Sequence, residues 1–132
     1  MTDDGTTTTL TDDECWAVLA DQPIGRLATA VAGEPEIFPV SHAVADGRIY
    51  FLTRPGSKLV EVTVNNRVAF EADEWRFDTA SSVVLKGTAE VLETDEDIAA
   101  AEATELVPYL DDGKNVWVRI TPTEISGRRL TR

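Results

Sequence analysis

The sequence predicts a mainly β, α+β fold: a six-stranded antiparallel barrel with short peripheral helices. Three observations carry it. Six β-rich runs fall at residues 24–32, 36–45, 48–53, 67–75, 81–92 and 115–125. Turn residues separate them, above all Gly33-Glu34-Pro35 and Asp46-Gly47. Strands do not alternate with helices, which speaks against a parallel sheet.

Residues 1–9 are threonine-rich and acidic with no apolar periodicity, so a disordered tail is expected there and a folded domain over 10–132. Thr11 followed by Asp12, Asp13 and Glu14 forms a capping box, and Cys15, Trp16, Val18 and Leu19 supply the apolar stripe of a helix ending before Pro23. Three antiparallel strands then run in sequence. Pro39 lies inside the second of them and cannot donate to a ladder, which predicts an edge or a barrel break at that point. Residues 57–64 read as a helix with Leu59, Val60 and Val64 on one side, stopped by Asn65-Asn66. Val68, Phe70 and Ala72 alternate with polar residues, as do Val116, Val118 and Ile120 in the last strand. Thr94 to Asp97 cap a helix expected to reach about residue 106.

The chain is long enough for one core, and no apolar run approaches the roughly 20 residues of a membrane helix. Neither a membrane partner nor a secretory leader is expected, so the cytoplasm is the expected location. With 24 acidic and 12 basic residues the net charge is −12, which repels a polyanion and excludes nucleic acid as a partner. Cys15 is the sole cysteine, so no internal disulfide forms, and its place in an amphipathic helix makes it core. There is no Ser/His/Asp set, no paired metal ligands and no glycine-rich dinucleotide fingerprint, so neither a catalytic side chain nor a metal is assigned. His42, the sole histidine, reads first as a strand residue and second as a base or haem ligand. Trp75 reads as packing or as a cover over a ligand, and Arg26 as a surface ion pair or an interface residue. Asp111-Asp112 reads as a solvated loop.

Thr53-Arg54-Pro55-Gly56-Ser57-Lys58 ends a strand, turns and opens the predicted helix with a hydroxyl and an ammonium. A helix start offers unpaired N–H groups and partial positive charge, and a lysine there runs against the dipole unless an anion compensates. The stretch therefore reads as a phosphate seat in an otherwise acidic molecule. An ordinary strand-to-helix turn with a solvated lysine fits the same residues.

Gly25-Arg26-Leu27-Ala28, Pro39-Val40-Ser41-His42, residues 49–53, Gly56-Ser57-Lys58-Leu59, residues 65–70 and Ser82-Val83-Val84-Leu85-Lys86-Gly87, in this order and spacing, resemble the pyridoxamine 5′-phosphate oxidase-like family, the FMN-binding split β-barrels. The likeness spans about residues 11–130. It implies a homodimer with FMN at the interface. By position, Ile37, Phe38, Pro39, Val40 and Ser41 would lie along the isoalloxazine and ribityl chain, Thr53, Ser57 and Lys58 would hold the phosphate, and Ser82 would reach FMN from the partner. An FMN-dependent oxidoreductase acting on a small-molecule substrate is the function this implies. True pyridoxamine phosphate oxidases resemble one another in a C-terminal arginine and histidine that hold the substrate phosphate, and the stretch Gly127-Arg128-Arg129-Leu130 here has no such histidine, so vitamin B6 oxidation is not expected. The alternatives are a non-catalytic carrier or sensor of flavin, deazaflavin or haem, and a dimer whose cofactor site has decayed.

Overall fold

The computed structural model describes residues 5–56, 66–110 and 112–132. The predicted helix over 57–64, and with it Ser57 and Lys58, lies outside them. In chain order the elements are β1 (Thr6–Thr9), α1 (Asp12–Asp21), β2 (Ile24–Val31), β3 (Glu34–Ser41), β4 (Ala43–Ala45), β5 (Arg48–Thr53), β6 (Arg67–Trp75), β7 (Thr79–Val91), α2 (Asp95–Glu102) and β8 (Val116–Thr131).

The strands form one antiparallel sheet in the order β3-β2-β6-β7-β8-β5-β4, with β1 added on β8. β3 and β4 stand at opposite ends of that order, yet His42 alone separates them in the chain. One residue thus links the two ends, which requires the sheet to curl into a barrel split at this seam. The His42 N–H donates to the Pro23 carbonyl at 3.2 Å and fixes the corner. The expected second strand, 36–45, is therefore divided: its first part pairs with β2 and its last part with β5. That division and the added β1 bring the strand count among the described residues to eight, where six were expected.

Local chemistry explains most boundaries. Thr11 Oγ1 accepts from the Glu14 N–H at 3.2 Å and Glu14 Oε1 from the Thr11 N–H at 2.8 Å, so the predicted capping box starts α1. Pro23 stops it. The turn between β2 and β3 is Ala32-Gly33, both at positive φ, rather than Gly33-Glu34-Pro35; Asp46-Gly47 makes the same kind of turn between β4 and β5. Pro39 lies on β3, which pairs with β2 alone, so it costs no central ladder.

Two further expectations are corrected. Thr6–Thr9 is not tail but strand, paired with Arg128 to Thr131. α2 ends at Glu102 rather than about residue 106, because Thr104 turns its hydroxyl onto the Ala101 carbonyl at 2.7 Å and Glu105 takes a left-handed φ of 58°.

The barrel interior holds Leu27, Ile49, Phe51, Phe70 and Leu85, all fully buried, with Leu19 of α1 plugging one end. A smaller cluster of Tyr50, Leu92, Ala101 and Trp117 seats α2 outside the barrel. Gly127 lets α1 approach, since a Cβ there would lie 2.9 Å from Cys15 Sγ.

Candidate functional site

Side chains of β3 alternate as a half-covered strand must. Val40 is buried with the core and Phe38 packs against it, while Ile37 is 69% exposed on the outer face together with Pro39. Among the described residues β3 pairs with a strand on one side only, so its other side presents backbone groups outside any ladder there.

A cleft of about 230 Å³ opens beside this strand. Pro39, Val40 and Ser41 of β3 line it, Leu52 of β5 lies across from them, and Tyr109 and Lys114 come from the loop between α2 and β8. Ser41 Oγ accepts from the Tyr109 N–H at 3.2 Å, which ties the loop to the strand. The other end of the loop is tied to β5, where the Asn115 N–H donates to the Thr53 carbonyl at 3.1 Å.

Charge collects where the loop meets the end of β5. Lys114 Nζ lies 2.6 Å from Asp112 Oδ1, and Arg54 Nη1 lies 3.8 Å from Asp112 Oδ2. The hydrogen bond from Lys114, helped by the charges of Lys114 and Arg54, holds the Asp112 carboxyl below the usual carboxylate range. Asp112 is thus a bridging counter-ion rather than a solvated loop residue.

Of the sequence-predicted residues, β3 brings Ile37, Phe38, Pro39, Val40 and Ser41 together, and Thr53 is buried at the end of β5. Ser57 and Lys58 lie outside the described residues. Ser82 stands apart: it is on β7, the third strand along from β3 and about 14 Å away at ordinary strand spacing. Tyr109 and Lys114 escape the sequence reading, and Asp112 appears there only as part of a solvated loop. The signal available was Pro108-Tyr109-Leu110, an apolar island between two polar stretches.

Other candidates resolve simply. His42 is 6% exposed, shares a 2.7 Å hydrogen bond between Nε2 and the Leu19 carbonyl, and sits edge-on to Phe70 with ring centroids 4.9 Å apart. Its Nδ1 has no partner among the described residues. Burial lowers its pKa, with the Leu19 carbonyl partly opposing. Cys15 is fully buried, and burial followed by Asp12 and Glu14 raises its thiol pKa, as suits a core residue. Arg26 pairs with Glu71 at 3.3 Å. Trp75 is 74% exposed and so is not packing for its own chain. No group of three His, Cys, Asp or Glu side chains that could hold a metal occurs among the described residues, and no helix there is long and apolar enough to cross a membrane.

An antiparallel barrel split at one seam, with an outer strand and a cleft beside it that Lys114 helps to line, defines the split-barrel class. The pyridoxamine 5′-phosphate oxidase family model matches residues 11–129, and the chain belongs to that family. An FAD-binding protein of Mycobacterium smegmatis is 37% identical, with a TM-score of 0.84 over 95% of this chain and 99% of that one. A FAD-binding protein of Mesorhizobium loti is 28% identical, with a TM-score of 0.82 over 98% and 100%. An uncharacterized protein of Mycobacterium tuberculosis is 34% identical, over 89% of this chain and 82% of its own.

Proposed function

We propose that the chain is a flavin-nucleotide-binding redox protein that works as a homodimer on a small-molecule substrate other than pyridoxamine phosphate. The observation that carries this reading is the outer side of β3, unpaired with any strand among the described residues, running along a cleft lined by the Lys114 ammonium. A flavin nucleotide needs those three things: backbone donors and acceptors for the ring edge, an apolar wall and positive charge for phosphate. Two relatives described as FAD-binding, at 37% and 28% identity over nearly the whole chain, support it. FMN is the first choice from the resemblance and FAD the second from those relatives.

A bound flavin would supply two-electron redox chemistry, so the chain itself need bring no acid or base. Its residues bind and orient. Ile37 to Ser41 would carry the ring edge and ribityl chain along the strand, and Pro39 would keep a flat, donor-free stretch against it. Thr53, Ser57 and Lys58 would receive the phosphate, a role the resemblance assigns. Ser82 faces outward on β7, so it would serve the flavin bound by the other chain. That face exposes Ile24, Ile37, Val84 and Leu130, an apolar surface suited to a second copy. Haem would need another ligand than His42, which is 6% exposed inside the barrel wall with Nε2 engaged on Leu19.

The test is the spectrum of freshly purified protein. A yellow protein that releases FMN or FAD, and loses it when Lys58 is changed to Ala, supports the reading; a colourless protein with no spectral shift on titration with either ends it. Steady NAD(P)H-dependent reduction of the bound flavin would separate an enzyme from a carrier.

A further inference from the structure

In a chain with twice as many acids as bases, a cation can find a counter-ion of its own, and several here do. Arg26 holds Glu71, Arg76 holds Glu74, Arg119 holds Glu90 and Asp97, and Arg129 holds Glu14. Beside the cleft the arrangement differs. Arg54 and Lys114 share the single carboxylate of Asp112, one on each oxygen. Among the described side chains of this group the local balance is therefore one positive charge, in a molecule whose net charge is −12.

Lys114 also lines the cleft, opposite Pro39 and Ser41. Its ammonium has three donors. One lies 2.6 Å from Asp112, and a second contact, to the Leu110 carbonyl, is long at 3.4 Å. The loop that carries it is fixed at both ends, by Tyr109 on Ser41 and by Asn115 on Thr53, so the ammonium is held beside the cleft rather than left to roam.

We propose that Lys114 is a phosphate-binding residue of this cleft, and that Asp112 is an internal stand-in that occupies the two cations until the phosphoryl group of a flavin nucleotide takes its place. The inference rests on the flavin reading above. The phosphate monoester of FMN carries nearly two charges and three acceptor oxygens, and the diphosphate of FAD carries two charges over its two phosphates, so either outcompetes one carboxylate for an ammonium and a guanidinium that lie on either side of it. Asp112 then keeps the pocket neutral enough to stay folded when empty, at the cost of affinity. Two neighbouring residues of one loop thus act on binding with opposite signs, which a plain structural strut would not do.

Titration of the full-length protein with riboflavin, FMN and FAD, at low and at high salt, tests this. Lys114→Met should weaken the nucleotide roughly tenfold and leave riboflavin, which lacks phosphate, unchanged. Lys114→Arg should keep most of the affinity. Asp112→Asn should tighten the nucleotide roughly threefold at low salt, again without effect on riboflavin. Whether FMN or FAD shows the response identifies which phosphoryl group fills the subsite, and either one supports the proposal. It is overturned if Lys114→Met leaves both nucleotides unchanged, if it weakens riboflavin in step with them, or if Asp112→Asn weakens the nucleotide as Lys114→Met does. A wild-type chain that binds none of the three overturns the flavin reading itself, and the proposal with it.

Discussion

The hydroxyl of Ser41 accepts a hydrogen bond from the backbone N–H of Tyr109 at 3.2 Å, so the outer strand of the barrel and the loop before its last strand move as one wall. Ser41→Ala removes that acceptor from an exposed bond. Hydrogen exchange at the Tyr109 amide should speed up roughly fivefold, the equivalent of about 1 kcal/mol, while amides of β6 keep their protection. Unchanged exchange at Tyr109 would mean that the loop is held by something else.

Gly25 on β2 leaves room for a ring. A Cβ there would come within 2.2 Å of Phe70 Cζ, and both Phe70 and the surrounding core are fully buried. Gly25→Ala should therefore cost about 1–3 kcal/mol by overpacking. Phe70→Leu alone should also destabilise, by leaving a void. The double variant should lose less than the two single losses together, because the smaller side chain yields the space that alanine needs. Denaturant melts of the four proteins close the cycle, and strict additivity would contradict the contact.

How much of this was legible in the sequence depends on where the information sits. β6 falls where its alternation puts it, at Arg67–Trp75, and β5, an apolar run buried on both faces, is bounded by the Asp46-Gly47 turn before it and Pro55 after it, at Arg48–Thr53. The capping box at Thr11 is equally local. β1 is four threonines, and nothing in them specifies pairing; the outer side of β8 at Arg128 to Thr131 does. β8 itself runs past residue 125 for the same reason, since Ser126, Gly127 and Arg128 have β7 beside them. The division at His42 is a property of barrel closure, which no window of sequence contains. In the candidate site, β3 could be read from its resemblance and its prolines. The pairing of Arg54 with Asp112 joins residues far apart in the chain, and a loop aspartate looks solvated until its partners are placed.

His42 makes stability depend on pH. Burial, the larger influence, lowers its pKa in the folded chain, and the Leu19 carbonyl opposes only in part. The unfolded chain, with a histidine near 6.5, therefore binds a proton before the folded one does. Stability from this group is complete above that pH and is lost as pH falls below it, with a slope of up to about 1.4 kcal/mol per pH unit until the folded pKa is reached. His42→Gln keeps a donor for the Leu19 carbonyl but cannot titrate. The difference in unfolding free energy between wild type and His42→Gln should be flat from pH 8 to 7 and fall between pH 6.5 and 5; a flat difference throughout would place the histidine in contact with water.

Ile37 decides whether the outer face is a surface or an interface. It is 69% exposed on a strand that has a free side, and on the same face Ile24, Val84 and Leu130 are 40%, 38% and 47% exposed. An isolated exposed isoleucine is unremarkable, but four apolar side chains on one sheet face are costly to hydrate unless something covers them. Ile37→Lys sets a charge on that face, at its β3 edge, without touching the interior, since the neighbouring side chains Phe38 and Val40 point the other way. If a second copy covers the face, wild type should sediment as a dimer and Ile37→Lys as a folded monomer with reduced flavin binding, because burying an unpaired ammonium would cost several kcal/mol. Wild type that sediments as a monomer at micromolar concentration would instead leave each cleft to hold its ligand alone, and Ser82 would then have no part in it.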